Sequence, residues 1–560
     1  MSNPIDSNSI PAAPAVPGAA FDLIVVGAGI NGAGIAQDAA ARGLRVALVE
    51  QEDIGSGTSN YSGRLIHGGL RYLEQGDVRL VRESLRERER LFRLAPHLVK
   101  PAPLMMPFYN HNKRSSWTIR AGMLAYDLLS FDKSTVWHFT LSREKTLERC
   151  KGINPEGLSG SVIFMDGQVI WSERLCVEVV LAAAADGAKV FTYSQVDGFL
   201  HDGARVCGVQ YTDRITGVRH AIGARVVVNA AGPWVDRVLS HDSRTTGRFI
   251  GGTKGSHLVV RPFPGAPTDV VYYESQSDGR LVLVIPWGAN YLIGTTDERF
   301  EDDPQNARAD VSEIGYLLGE VNRLIPQAKL TEADIAYTYS GVRPLPYSPG
   351  KSEWNVSRSH VIHDHAPEQD GLYSIIGGKL TTYRSLAEET VDIVFRKLGK
   401  KPPRCTTASL PFPGARVADW ERLRTSLASV HGASPAIVDR LVGIYGSRAV
   451  DVLDAAGGDA ALLQPLDSET GVIGAELVFT YNHEFARTLS DVLLRRTMVG
   501  FNGDDAVVGR AAEILGAHLG WDMERREREI ADHRRYCERY AMPAHALVPE
   551  ILGEHKKLAS

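Results

Sequence analysis

The chain has 560 residues, 44% hydrophobic and 23% charged, which excludes a largely disordered protein and leaves room for several domains. Its net charge of −5, from 62 Lys+Arg against 67 Asp+Glu, argues against a nucleic-acid partner bound across the surface. Five cysteines, Cys150, Cys176, Cys207, Cys405 and Cys537, form neither a CxxC pair nor a disulfide-dense pattern, which fits a reducing compartment and no metal site.

Residues 1–20 place Pro4, Pro11, Pro14 and Pro17 among Ala and Ser without the basic start and apolar core of a signal peptide, and are expected to be a flexible tail. No window offers the ~18 uncharged apolar residues of a spanning helix. A cytoplasmic protein is expected, peripheral at most on the inner face of the cell membrane.

Phe21 to Glu50 reads strand, turn, helix, strand. Leu23-Ile24-Val25-Val26 has the continuous apolar character of a buried parallel strand, Ile35 to Arg42 is helical, and Val46-Ala47-Leu48-Val49 forms the second strand, closed by Glu50. Gly27, Gly29 and Gly32 between them form GxGxxG. The first glycine allows the tight turn, the second lets a pyrophosphate approach the backbone, and the third lets helix pack on strand, with the helix N-terminus favouring the anion. Glu50 stands where a carboxylate accepts bonds from ribose hydroxyls and disfavours a 2′-phosphate. A plain glycine turn would need neither the complete βαβ unit nor this carboxylate.

A charged helix follows from Asp77 to Arg93, with Val81, Leu85 and Phe92 on its apolar side. Residues 108–133 mix His111, Lys113, Arg114, Arg120 and Lys133 with Trp117, Ile119, Met123, Leu124, Tyr126, Leu128, Leu129 and Phe131. Such a mixture suits either an anionic membrane surface or a domain helix with one buried face. Two strands lie between Gly203 and Val228. Alternating segments at Ser256–Val260, Val270–Tyr273, Leu281–Ile285 and Tyr291–Gly294 predict an antiparallel sheet. Leu372 to Ile376, the glycine pair Gly377-Gly378 and a helix from Thr381 return the chain to the first domain. A second glycine turn suits a long cofactor touched from several segments, which favours FAD over NAD. Pro402, Pro403, Pro411 and Pro413 mark a linker, and helical periodicity fills the remainder.

At Gly57-Thr58-Ser59 and Arg64-Leu65-Ile66-His67-Gly68-Gly69-Leu70-Arg71-Tyr72-Leu73 the sequence resembles the FAD-dependent, aerobic respiratory glycerol-3-phosphate dehydrogenases. The resemblance recurs at Asn229-Ala230-Ala231-Gly232-Pro233-Trp234, Lys254-Gly255-Ser256-His257, Ile293-Gly294-Thr295-Thr296-Asp297, Tyr339-Ser340-Gly341-Val342-Arg343 and Gly377-Gly378-Lys379-Leu380-Thr381. Leu493-Leu494-Arg495-Arg496-Thr497 matches a C-terminal helical signature. Where the family commonly has Ser-Ser and Lys, this chain has Ser59-Asn60 and Arg64.

The resemblance implies an α/β FAD-binding Rossmann-like domain, an α+β substrate domain built on the antiparallel sheet and a C-terminal all-α domain. Their expected bounds are 21–110, 165–240 and 365–400 for FAD binding, 111–164 and 241–364 for substrate, 401–414 for the linker and 415–545 for the helical domain. It implies oxidation of sn-glycerol 3-phosphate to dihydroxyacetone phosphate, with hydride transfer to FAD and a membrane quinone as electron acceptor. Expected cofactor residues are Gly27, Gly29, Gly32, Glu50, Thr58, Ser59, Arg64, Leu65, His67, Gly232, Trp234, Gly378, Leu380 and Thr381. Arg71, Tyr72, Lys254, Arg358 and Lys379 are expected around the substrate phosphate, since arginine suits bidentate and lysine point-charge contact. His257 is expected as proton acceptor, having a suitable intrinsic pKa, with Arg343 stabilising the developing oxyanion. An O₂-using oxidase of glycerol phosphate or an amine, a nicotinamide dehydrogenase and a non-catalytic FAD redox sensor are the alternatives. Several cations around the substrate count against an amine, and a homo-oligomer is left open.

Overall fold

A computed structural model describes residues 20–74, 76–350, 356, 358–467, 469–501 and 504–543; the expected tail at 1–19 lies outside them. The chain builds two sheets and a helical domain. β1 (Phe21–Val26) and β2 (Val46–Val49) flank α1 (Ile30–Ala41) as the sequence predicts. β1 pairs in parallel with β2 on one side and with Arg219–Asn229 on the other, Val25 lying opposite both Leu48 and Val228. Leu372–Ile376 joins this sheet in parallel and Lys189–Phe191 extends it beyond β2. Strands covered on both faces must be apolar throughout, and β1 from Asp22 onward is buried. The covering helices α1, Ser172–Ala185 and Tyr383–Lys397 share one core with the strands. Gly34 makes the approach of α1 to the last of these: a Cβ there would meet the Tyr383 ring at 2.6 Å.

The second sheet has ten strands among the described residues, centred on Thr253–Val260 between Asn290–Gly294 and Ile335–Arg343. It is antiparallel apart from one pair, in which Val270–Glu274 runs parallel to Val99–Tyr109. This pairing corrects the expected bounds. Val99–Tyr109 and Leu158–Val169 zip together along eleven positions and belong wholly to the second sheet, although 99–110 and 165–169 were assigned to the first domain. Conversely, Val361–Asp364 pairs with Leu372–Ile376 at the edge of the first sheet. Alternation reveals that a strand exists but not which sheet receives it.

Beyond residue 415 the described residues are helical, including Trp420–His431, Pro435–Tyr445, Gly474–His483, Asp505–Leu519 and Met523–Cys537. The linker is bonded down on the first domain: the Phe412 N–H donates to Leu94 O at 3.0 Å and the Gly414 N–H to Glu178 at 2.9 Å. No helix among the described residues is long and apolar enough to cross a membrane.

Candidate active site

A cavity of about 440 Å³ runs between the two sheets. Its wall at the first sheet is the glycine turn. Gly27 has φ +101°, and a Cβ there would lie 2.7 Å from Ala230 O; at Gly32 a Cβ would lie 1.9 Å from Gly27 O. These two positions exclude side chains through the fold itself. Gly29 differs, because its Cβ would meet only Ser59 Oγ at 3.4 Å, so its bareness serves the cavity. Ser59 Oγ accepts the Ile30 N–H at 3.0 Å at the start of α1, and the Thr58 hydroxyl donates to Val342 O at 2.6 Å. Glu50 accepts the Ala28 N–H at 2.7 Å and the Glu52 N–H at 2.9 Å, and burial raises its carboxyl to about 7. Across the turn, Asn31 Nδ2 donates to Gly377 O at 3.2 Å, while its Oδ1 is buried without a partner.

Cations gather at the other end. Arg343 leaves the end of its strand across Gly255, where a Cβ would fall 2.1 Å from the guanidinium. Its Nη1 is 3.0 Å from Asp297 Oδ1, its Nη2 donates to Thr295 Oγ1 at 3.0 Å, and Arg358 reaches the second oxygen of Asp297 at 2.9 Å. Burial opposes ionisation of Asp297, but the two arginines hold its carboxyl below the usual value. Lys379 Nζ stands 3.6 Å from the centre of the Tyr72 ring, buried and without a hydrogen-bond partner. Burial depresses its ammonium to about 7. His257 stacks on Tyr339 with ring centroids 4.8 Å apart; burial first, then Arg343 and Arg64, lowers it to about 3, so the free imidazole is neutral near pH 7.

Of the sequence-derived candidates, Gly27, Gly29, Glu50, Thr58, Ser59, Leu65, His67, Gly232, Trp234, Gly378, Leu380 and Thr381 line this cavity, together with Tyr72, His257, Arg343, Arg358 and Lys379. Gly32 lies just behind it. Two further candidates do not reach it. Lys254 is one position out of phase on its strand: Gly255 and His257 face the cavity, so Lys254 and Ser256 face away, onto Glu313 at 2.9 and 2.8 Å. Arg64 is fully buried, with both Nη atoms on Glu173 at 2.6 and 2.7 Å and its guanidinium over the Trp287 ring. It fixes the loop without facing the cofactor space. The Arg71 side chain lies outside the described residues. Asp297, Thr295 and Asn31 were not singled out from the sequence, although the first two sit inside a quoted motif and Asn31 inside the glycine turn itself.

Residues 22–384 match the family model described as FAD dependent oxidoreductase, and residues 405–526 that of the C-terminal domain of alpha-glycerophosphate oxidase. The chain is 42% identical over 552 residues to a glycerol-3-phosphate dehydrogenase of Synechocystis sp., covering 95% of this chain and 99% of that one. It is 36% identical to glycerol-3-phosphate dehydrogenase 2 of Mycobacterium bovis, covering 92% and 88%. The crystal structure of the Bacillus halodurans glycerol-3-phosphate dehydrogenase complexed with FAD superposes with a TM-score of 0.76 at 30% identity, over 94% of this chain and 96% of that one. The expected fold class and the FAD cofactor are therefore borne out. The residues fit that cofactor: a bare glycine turn opens on the cavity, a buried carboxylate closes β2, and the orphaned Asn31 Oδ1 and Lys379 Nζ leave polar atoms for a ligand to satisfy.

Proposed function

The chain belongs to the FAD-dependent glycerol-3-phosphate dehydrogenase family, and on that premise we propose that it oxidises sn-glycerol 3-phosphate to dihydroxyacetone phosphate and delivers the electrons to a quinone. The observation that carries the substrate is the cation set. Arg343, Arg358 and Lys379 converge on one end of the cavity, and Asp297 bonds both arginines there. A phosphate dianion supplies the charge that an amine substrate lacks. Bound FAD supplies the acceptor for the hydride from C2.

The protein's own residues do the rest. Arg358, Lys379 and Tyr72, joined by Arg71 on the resemblance, orient the phosphate. Arg343 steadies the charge developing on the C2 oxygen. His257 accepts the hydroxyl proton: a neutral imidazole is the competent form, and the negative charge of the bound substrate raises its pKa from the low value of the free protein.

For the acceptor, the support is a surface. The helix Ser116–Leu129 buries Ile119, Met123 and Tyr126 but turns Trp117, Leu124 and Leu128 outward, 76%, 50% and 58% exposed, and Phe131 follows at 70%. Arg120 stacks over exposed Trp117 on this face and reaches the ring of buried Phe108. An apolar ridge with a cation beside it suits an anionic bilayer, where quinone resides. The ridge is one helix away from the cavity wall: Tyr126 OH accepts the Gly68 N–H at 2.9 Å, and His67 and Gly69 line the cavity.

An O₂-using glycerophosphate oxidase is the second reading, favoured by the description of the C-terminal family model. Anaerobic mixing with glycerol 3-phosphate, followed through flavin absorbance, tests the substrate; no bleaching would refute it. Comparing reoxidation by a short-chain quinone with reoxidation by O₂ and its peroxide yield then separates the two acceptors.

A further inference from the structure

Between β2 and the short strand Leu65–Ile66 the chain runs from Glu50 to Arg64 without helix or strand, and seven residues of this loop, from Glu50 to Ser59, line the cavity. A segment lacking regular structure must be ordered by specific partners. At its centre Asp53 is completely buried. Arg496 donates to both its oxygens at 2.8 Å, and Arg495 Nε reaches Oδ2 at 2.5 Å. Both arginines come from the π-helical turn Val492–Arg496 of the C-terminal domain, within the Leu493–Thr497 signature that the proposed chemistry leaves unused. The wider turn lets two successive arginines meet one carboxylate; π turns recur at functional positions.

A second strut leaves the same turn. Asp491 takes Arg495 Nη2 at 2.6 Å and the Tyr193 hydroxyl at 2.7 Å, while the Tyr193 N–H donates to Glu52 O at 2.9 Å. The helical domain thus grips the loop at two adjacent residues, Glu52 and Asp53, midway between Glu50 and the Thr58-Ser59 pair.

We infer that the C-terminal helical domain is part of the cofactor-binding apparatus: Arg495 and Arg496, acting through Asp53 as positioning residues, hold the 50–59 loop in the shape that accepts FAD. This rests on FAD as cofactor and is independent of the choice of substrate or acceptor.

The test compares apoprotein variants by FAD dissociation constant, from quenching of flavin fluorescence, and by thermal midpoint, from far-UV circular dichroism. Asp53→Asn removes the anchor. Arg448→Gln is the control: it breaks the ion pair of Arg448 with Glu178 across the same domain interface, and that with Glu484 within the helical domain, without touching a residue of the loop. Both variants should melt earlier. Only Asp53→Asn should bind FAD an order of magnitude or more weakly while still folded, the loss expected from one charge-assisted contact. Arg496→Lys, which keeps the charge but loses the two-pronged geometry, should fall between. Equal loss of FAD in Asp53→Asn and Arg448→Gln, or unchanged affinity in a folded Asp53→Asn, overturns the inference. If Asp53→Asn does not fold, Arg496→Lys takes its place, and wild-type FAD affinity in that variant is equally fatal.

Discussion

Arg343 and Asp297 form the hinge of the cationic end: the carboxylate that binds the Arg343 guanidinium at 3.0 Å also holds Arg358 at 2.9 Å, so one anion sets the separation of two cations. Replacing Arg343 by Ala should leave the protein yellow and lower kcat/KM for glycerol 3-phosphate by roughly 10- to 150-fold, the cost of one charge-assisted contact. Asp297→Asn should act differently. It releases both arginines but adds net positive charge, so kcat falls while KM does not rise. Steady-state kinetics with a soluble acceptor check both, and wild-type kcat in Asp297→Asn would remove it from the positioning role.

Lys379 gives the site a pH dependence with a definite sign. Its ammonium is depressed to about 7 by burial, so the free enzyme loses this cation as pH rises through 7. KM for the phosphate substrate should climb above that pH, and Lys379→Arg, which stays protonated, should flatten the climb. Stability moves the opposite way. An unfolded lysine keeps its proton to ~10.4. Between about 7 and that value the unfolded state binds more protons, so this group's contribution to stability improves with rising pH. A KM profile that is flat from pH 6 to 9 in the wild type would contradict the assignment.

The glycines of the turn should separate by readout. Gly32→Ala places a methyl group 1.9 Å from Gly27 O, so the fold itself suffers, by ~1–3 kcal/mol or more. At Gly29 an added Cβ meets only Ser59 Oγ and projects into the cavity, so Gly29→Val should fold normally and purify without flavin. Thermal midpoints and the flavin-to-protein absorbance ratio distinguish the two. A fully yellow Gly29→Val protein would place the pyrophosphate elsewhere.

The βαβ unit was legible because period, glycine spacing and terminal Glu50 all point one way within thirty residues of chain. In the second sheet the four strands at Ser256–Val260, Val270–Tyr273, Leu281–Ile285 and Tyr291–Gly294 were legible from their alternation, but Val99–Tyr109 and Leu158–Val169 were not, since each is set by pairing with residues some sixty positions away. Lys254 shows the limit of motif reasoning. It is adjacent in sequence to Gly255 yet faces the opposite side of the sheet, and only the register decides which neighbour looks into the cavity. Asp297 and Asp53 escaped notice because an isolated aspartate carries no local signal; each acquires its role from arginines brought in by another strand, loop or domain.

The membrane surface yields the last prediction, and the structure changes which residues should be mutated. Arg114 is bound by Glu74 and Glu274, and Lys113 Nζ donates to Asp278 O, so neither is free to meet lipid as the sequence pattern alone suggests. The exposed ridge of Trp117, Leu124, Leu128 and Phe131, with Arg120, remains. Leu124→Ser with Leu128→Ser should reduce co-sedimentation with anionic vesicles strongly, because each leucine side chain buried in the acyl boundary contributes ~1.5–3 kcal/mol. Arg120→Gln should cost about 1 kcal/mol. Salt separates the two contributions: it weakens the Arg120 attraction, screened within a Debye length, and leaves the apolar part intact. On insertion, Trp117 emission should shift to the blue. Turnover with a soluble acceptor should survive all three substitutions, since the ridge faces away from the cavity, whereas turnover with a long-tailed quinone in vesicles should fall with binding. If the leucine double variant binds vesicles as the wild type does, the ridge is not the docking face, and electrons must leave the protein at another surface.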